Sequence, residues 1–381
     1  MARNERRTSA ETSPTSTSGA ATGPTARSVL APQWLTLGRD GRLSAFAAGD
    51  GVLLCWTEEE PGSAAWLGPD PLPLPAGALA PTLAQEPGLG YVHLAVLRPA
   101  PDARSRHAIL VSTRYQTGRT LGDWRPLDLP DAVDGLEDAQ AEPRLSVGPN
   151  GELLLFVQHL GKGLWMRIRD EQGRWGGWKG MQGAWVRDPV AARAGEDGTA
   201  ELLAPYRGGA VHWRRSAAGE AFKRLKLQPE AKAAARSYTA LETAPGSTTW
   251  FWRAADGATV HAWRPPEAED APADPVSVGG EGGTGPVAAV RAVIDGHDCT
   301  VLVQRGADGR TEVAAYPTLA EDGGVWWTPT GPPGIGTPGL HHDAEGRLTL
   351  ASIGPDGSLS VCRQKPGEEG LAFGPWTRVG R

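Results

Sequence analysis

Apolar residues come along this chain in short runs, and the runs are broken repeatedly by Asx-Gly pairs. The pattern is clearest over residues 147–181. There Asn150-Gly151 precedes the apolar run 152–157, and Gly161-Lys162-Gly163 follows it. Leu164-Trp165-Met166-Arg167-Ile168 then alternates apolar with polar, ahead of Arg174-Trp175-Gly176-Gly177-Trp178. Asn-Gly between apolar runs is a hairpin signal, because both residues tolerate the positive φ of a tight primed turn. A continuous apolar run reads as a buried strand, an alternating one as a half-exposed strand. Trp178 stands where a last, outer strand begins, so the segment is an antiparallel meander of three or four strands.

Similar units run from about residue 32 to residue 380. The first has strands at 33–37, 43–47 and 52–56 around Asp40-Gly41 and Asp50-Gly51, then Trp66. The second and least regular has 81–83, 91–97, 108–115 and Trp124. The fourth starts at Asp188-Pro189-Val190, continues at 200–204 and 210–214, and carries Phe222 in place of tryptophan. The fifth has 238–243, 248–253, 258–263 and the extended Val276-Ser277-Val278. The sixth has 287–293, 299–304, 311–316 and Trp326-Trp327. The seventh has 340–343, 348–353, 358–363 and Trp376. Between units, 98–107 reads as a longer loop, 131–142 as an acidic connection, 229–236 as an Ala-rich piece that forms a helical turn, and 265–275 as an acidic, proline-rich connection.

The outer aromatic positions recur roughly every 45 to 58 residues, the length of a four-stranded propeller blade. A fixed period made only of strands argues for radial repetition, in which each sheet buries its faces against its neighbours. The expected fold is all-β, a seven-bladed β-propeller of four-stranded antiparallel blades. The count falls to six if the second or fifth unit is not a blade. The ring either closes with whole blades, no strand being shared between the termini, or residues 27–30 add an edge.

Composition fits this picture. Gly 51 and Pro 33 suit many strands joined by turns and disfavour long helices. Trp 15 calls for a repeated packing position or an aromatic binding surface. The net charge of -6, with no basic stripe, argues against nucleic acid as a partner. Cys55, Cys299 and Cys362 lack disulfide or zinc spacing and read as buried thiols. Residues 1–28 form a Ser/Thr-rich tail expected to be disordered, and 29–381 a single propeller domain. No run is apolar enough for a membrane span, and no h-region follows the early positive charges. The default is a cytoplasmic protein, with leaderless export left open.

The best-preserved units resemble blades of the bacterial seven-bladed β-propeller lectins related to the Photorhabdus fucose-binding lectins. Blades of that family read D-G-x-L-x-x-F, then D-G-x-L-W-H-x-W, then W-x-x-W. Asn150-Gly151-Glu152-Leu153 with Phe156, Gly163-Leu164-Trp165, and Trp175 with Trp178 are similar to these segments. So are Asp256-Gly257 with Val260-His261-Ala262-Trp263, Ala210-Val211-His212-Trp213, Asp40-Gly41-Arg42-Leu43 with Phe46, and Asp356-Gly357-Ser358-Leu359. The resemblance implies a propeller whose sugar sites lie at blade interfaces or on the rim. Units one, six and seven lack the Trp-His pair, which implies fewer sites than blades.

Sugar binding needs a flat apolar surface for the C–H face of a pyranose and polar groups for its hydroxyls. Tryptophan beside Asp, Asn, Arg or His supplies both. The candidate carbohydrate contacts are Trp165, His212, Trp213, His261 and Trp263, with Trp326 exposed at a rim or interface. The competing explanation for each strand tryptophan is packing between sheets. Hydrolase signals are poor: there is neither a G-x-S-x-G elbow nor an H-E-x-x-H pair. His341-His342-Asp343 diverge along a strand, so no metal site is expected, and no cofactor is implied. Three readings follow: a non-catalytic lectin-like propeller binding glycans, a scaffold subunit holding a protein partner in a toxin or conflict-system assembly, and, behind both, an enzyme with its site at the channel mouth.

Overall fold

The computed structural model describes residues 24–380, except 31, 100–106, 128, 130–141, 149, 160–162, 182–185, 187–190, 196, 207–208, 226–228, 231 and 267–273. Residues 1–23 of the expected tail, the Gly161-Lys162 turn, the start at Asp188-Pro189-Val190 and most of the acidic connections at 131–142 and 265–275 lie outside the described residues; residues 24–28 of that tail are ordered instead, with Ala26 buried in the blade 1 core and Ser28 in a strand. The described chain forms seven antiparallel sheets, each from one continuous stretch of sequence.

Blade 1 holds β1 (Ser28–Val29), β2 (Leu35–Leu37), β3 (Leu43–Ala48), β4 (Val52–Glu58) and β5 (Trp66–Pro73). Blade 2 holds β6 (Thr82–Gln85), β7 (Val92–Arg98), β8 (Ala108–Arg114) and β9 (Arg125–Leu127). Blade 3 holds β10 (Arg144–Val147), β11 (Leu153–His159), β12 (Gly163–Arg169) and β13 (Lys179–Gly180). Blade 4 holds β14 (Ala191–Ala194), β15 (Ala200–Tyr206), β16 (Gly209–Arg215) and β17 (Lys223–Arg224). Blade 5 holds β18 (Thr239–Ala244), β19 (Ser247–Arg253), β20 (Val260–Trp263) and β21 (Val276–Ser277). Blade 6 holds β22 (Thr284–Ile294), β23 (His297–Arg305), β24 (Thr311–Pro317) and β25 (Thr328–Thr330). Blade 7 holds β26 (Ile335–His342), β27 (Leu348–Ile353), β28 (Leu359–Arg363) and β29 (Thr377–Arg378). The fold is a seven-bladed β-propeller. A 3-10 turn, Glu321–Gly323, interrupts blade 6, and no helix among the described residues is long and apolar enough to cross a membrane.

The Asx-Gly pairs make the turns. Gly41, Gly51, Gly151, Gly198, Gly257, Gly309 and Gly357 all have φ between 72° and 82°, a region costly for a residue with a Cβ. Asp197, Asp256, Asp308 and Asp356 each accept the amide N–H two residues on, at 2.9–3.0 Å. These carboxylates are occupied with turn chemistry. The Ala-rich stretch departs from the helical expectation. Ala233 bridges Ala254, Ala234 N donates to Arg253 O at 2.8 Å, and Ala255 N donates to Lys232 O at 2.7 Å. Pairing with the end of β19 overrides the helix propensity of alanine.

The side-chain period of two gives each sheet two apolar faces, and each face meets a neighbour. Leu153, Leu155 and Val157 of β11 pack with Ile109 and Val111 of blade 2. Leu154 and Phe156 of the same strand pack with Leu202 and Trp213 of blade 4. The outer aromatics then lean on the preceding blade. Trp124 Nε1 donates to Pro73 O, Trp327 Nε1 to Val278 O and Trp376 Nε1 to Thr330 Oγ1, while Phe222 stands edge-on to Phe156. Trp376 can lie flat there because residue 331 is glycine. A Cβ on Gly331 would stand 2.4 Å from the indole, and its φ is +70°. Gly331→Ala is therefore expected to lower stability by about 1–3 kcal/mol through strain and overpacking, read as a lower urea midpoint with unchanged slope.

The ring closes with whole blades. Ile353, Leu359 and Val361 of blade 7 share one core with Leu43, Phe46 and Trp56 of blade 1, and Trp34 Nε1 donates to Thr337 O at 2.9 Å. Residues 28–29 also add an edge, since β1 pairs with Ala47 and Ala48 of β3 beyond the end of β2. The two expected modes of closure occur together.

Candidate functional site

The alternation of β12 sorts its side chains. Trp165, Arg167 and Arg169 pair across from Val157, Leu155 and Leu153 and face blade 2; Leu164 and Met166 face blade 4. Past β12 the chain turns at Asp170, which accepts Arg174 N at 2.8 Å and Arg174 Nε at 2.9 Å. Gly176 N then donates to Ile168 O, and Arg167 Nε donates to Gly176 O at 2.7 Å. This fold of the loop sets Trp175 and Trp178 around one cation. The Arg167 guanidinium carbon lies 5.9 Å from the centre of the Trp175 ring and 5.7 Å from that of Trp178. Such contacts hold both rings and the guanidinium in place. Trp165, Trp175 and Trp178 are all half-buried and pack on the blade 2–blade 3 core. A Cβ on Gly177 would meet nothing within 4 Å, so the loop between the two outer tryptophans borders open space. The result is an aromatic ledge with guanidinium donors at the outer blade 2–blade 3 interface.

The other expected contacts do not converge on it. His212, Trp213 and Trp263 are only 1, 1 and 2 % exposed and present no face to a ligand in this conformation. His212 and Trp263 do meet, edge to face at 5.6 Å, but in the core between blades 4 and 5, where Trp250 is also 5.7 Å from the imidazole. His212 Nε2 is 2.8 Å from Glu201 Oε2, and Trp213 Nε1 donates to Met181 O at 2.8 Å. These three side chains are packing and tie elements, because in a propeller both faces of a strand are covered. His261 is half-buried and stacked on Trp252 at 6.1 Å, and burial lowers its pKa. Trp326 is 89 % exposed on blade 6 while Trp327 packs inward, the divergence expected of adjacent residues.

Two further clefts and the central channel lie apart from the ledge. At the closure, a cleft of about 600 Å³ is lined by Trp56, Pro69, Asp70, Asp356 and Arg378, with Arg378 ion-paired to Asp356. A second, of about 580 Å³, lies between blades 1 and 2. The central channel is lined by Arg144, Arg193 and Arg236 among small residues of the inner strands. At its mouth the carboxylate of Glu142 is held by Arg144 at 3.2 Å and Arg236 at 2.6 Å. Among the described residues, no group of three or more His, Cys, Asp or Glu is placed to hold a metal ion.

One repeated feature went unnoticed in the sequence. The last residue of the third strand is arginine in blades 2, 3, 4 and 7, namely Arg114, Arg169, Arg215 and Arg363. Each reaches a neighbouring blade: Arg114 donates to Ser44 Oγ at 3.1 Å, Arg169 to His93 Nε2 at 3.4 Å, Arg215 to Glu152 Oε1 at 2.9 Å, and Arg363 pairs with Glu58. Arg114, Arg169 and Arg215 share one register, each opposite the first residue of the preceding strand, and reach the preceding blade; Arg363 is opposite Thr349, the second residue of its strand, and reaches the blade across the closure.

No family model matches the chain, and no curated protein is similar to it in sequence. Solved structures do match its fold. The BP39L lectin of Burkholderia pseudomallei superposes with a TM-score of 0.67 at 14% identity, over 93% of this chain and 100% of that chain. A mutant of AofleA from Arthrobotrys oligospora superposes at 0.50 with 8% identity, over 80% of this chain and 86% of that one. The Hadza microbial sialidase Hz136 is at 0.49 with 14% identity, over 86% and 73%. Identities this low show the fold alone. The chain is similar to β-propeller lectins in architecture.

Proposed function

We propose that this protein is a non-catalytic carbohydrate-binding propeller whose primary site is the outer ledge between blades 2 and 3. The observation that carries the reading is the arrangement of Trp175 and Trp178 around Arg167, with Trp165 beside them on the same face. Aromatic walls with a few fixed polar groups are what a small polar-apolar ligand needs, and rigid placement lowers the ordering cost of binding. The indoles offer flat surface to a pyranose, and Arg167 offers donors to its hydroxyls. Of the residues expected from sequence, Trp165 belongs to this site. The closure cleft, with Asp70 and Arg378, is a second interblade position of the same chemistry. A glycan array probed with the full chain tests the reading, with neutral glycans, including fucosylated and mannosylated ones, as the expected hits. An array without any glycan retained above background would sink it.

A second reading is supported by blade 6, where Val293 is 72 % and Trp326 89 % exposed, with Leu319 also exposed. Apolar residues gathered on one blade suit a protein partner. Recovery of a stoichiometric partner from the native host, lost in Trp326→Ala, is the outcome that favours a scaffold.

A further inference from the structure

We propose that the cleft between blades 1 and 2 binds an acidic saccharide, a sugar carrying a carboxylate or sulfate. The cleft has a volume of about 580 Å³ and is lined by Arg39, Arg42 and Arg119, Tyr91 and Tyr115, Leu89 and Asp40. Three arginines and one aspartate line it, an excess of positive charge on a chain whose net charge is -6. Asp40 is engaged by Arg42, whose Nε lies 2.8 Å from Oδ2. Arg39 and Arg119 are exposed, and their guanidinium groups make no ion pair with any described residue. Like charges gathered without a counterion repel one another, and a bound anion relieves that repulsion.

The walls favour a sugar over a bare ion. Tyr91 and Tyr115 meet edge to face, with centroids 5.1 Å apart, which fixes the Tyr115 ring while leaving it 58 % exposed. A fixed aromatic ring takes the C–H face of a pyranose, while a guanidinium fork takes its carboxylate in two parallel hydrogen bonds. The floor is rigid. The Gln85 side chain accepts Leu37 N at 3.0 Å and donates to Leu37 O at 2.7 Å, joining the two blades. A Cβ on Gly38 would stand 1.8 Å from Thr117 Oγ1, so the loops that carry the arginines are in direct contact. A neutral sugar leaves the guanidinium groups partly stripped of water with nothing in return, and so binds worse than an acidic one.

This site shares no residue with the blade 2–blade 3 ledge, so the two assignments fail separately. The test is isothermal titration of the full chain with sialyllactose, lactose, sodium sulfate and uridine monophosphate. Sialyllactose is expected to bind, weakening as salt is raised, with lactose at least about tenfold weaker. Arg39→Ala, Arg119→Ala and Tyr115→Ala, all at exposed positions, are each expected to cost about tenfold or more in sialyllactose affinity, while Lys365→Ala, exposed on blade 7, leaves it unchanged. Equal affinity for lactose, or unchanged binding in both arginine variants, overturns the proposal. Sulfate or uridine monophosphate binding as tightly as sialyllactose also overturns it, in favour of a simple anion or nucleotide site.

Discussion

Glu152→Ala is expected to lower the stability of the propeller by about 3–5 kcal/mol, the usual cost of leaving a buried charge without its partner. Arg215 is 1 % exposed and meets Glu152 through both terminal nitrogens, Nη1 to Oε1 at 2.9 Å and Nη2 to Oε2. Its guanidinium carbon also lies over the Phe222 ring at 5.6 Å, so the cation sits in an apolar slot between blades 3 and 4. Removing the carboxylate strands that cation. Replacing both groups with apolar side chains of similar volume removes the charge as well, so Glu152→Leu with Arg215→Met is expected to recover most of the loss. The measurement is the urea midpoint of the four members of this cycle. A single-variant loss below about 1 kcal/mol would mean that the pair adds nothing beyond a surface ion pair.

Acid is expected to weaken the fold well before the carboxylates of the unfolded chain titrate. His93 lies between blades 2 and 3, 1 % exposed. Its Nε2 accepts from Arg169 at 3.4 Å, which leaves the proton on Nδ1, 2.9 Å from Thr113 Oγ1. Burial, and then the Arg169 charge, lower its pKa from 6.5 to about 3, although Glu86 Oε2 stands 3.7 Å away. The folded value is below the unfolded one, so between them only the unfolded chain binds this proton. The stabilisation is complete above about pH 6.5 and is lost as pH falls through the window down to about 3, at roughly 1.4 kcal/mol per pH unit. His261, His341 and His342 are also lowered, each chiefly by burial, and add to the same trend. His93→Gln is expected to make the loss of stability between pH 6.5 and pH 5 smaller by about 2 kcal/mol. Parallel stability-versus-pH curves for the variant and the parent would contradict the assignment.

The fold was legible because its signals are local. Asp256-Gly257 or Asp356-Gly357 needs only a positive φ and a carboxylate to fix a turn, and both lie within the turn itself. The strand between two such turns then follows from its apolar run. The Ala-rich 229–236 misled for the converse reason. Ala233 obeys a bridge to Ala254, a residue from the next strand pair that no propensity window sees. The site was legible only in part. Trp165, Trp213 and Trp263 are the third, fifth and last residues of their third strands and all pack toward the preceding blade, yet Trp165 is half-exposed and the other two are buried. What separates them is the neighbouring blade and the course of the loop after the strand, neither of which has a local signature. The arginines at the ends of third strands were missed for the same reason: the partner of Arg215 is Glu152 in one blade, and that of Arg363 is Glu58 across the ring closure.

The aromatic ledge is the central claim, and calorimetric titration of the best glycan from the array tests it most directly. The parent chain is compared with Trp178→Ala and Arg167→Ala, with the exposed Trp326→Ala as control. The ledge predicts that both site variants weaken binding by about tenfold or more at unchanged far-ultraviolet dichroism, while the control binds as the parent does. Affinity retained in both site variants, or lost only in Trp326→Ala, would contradict it.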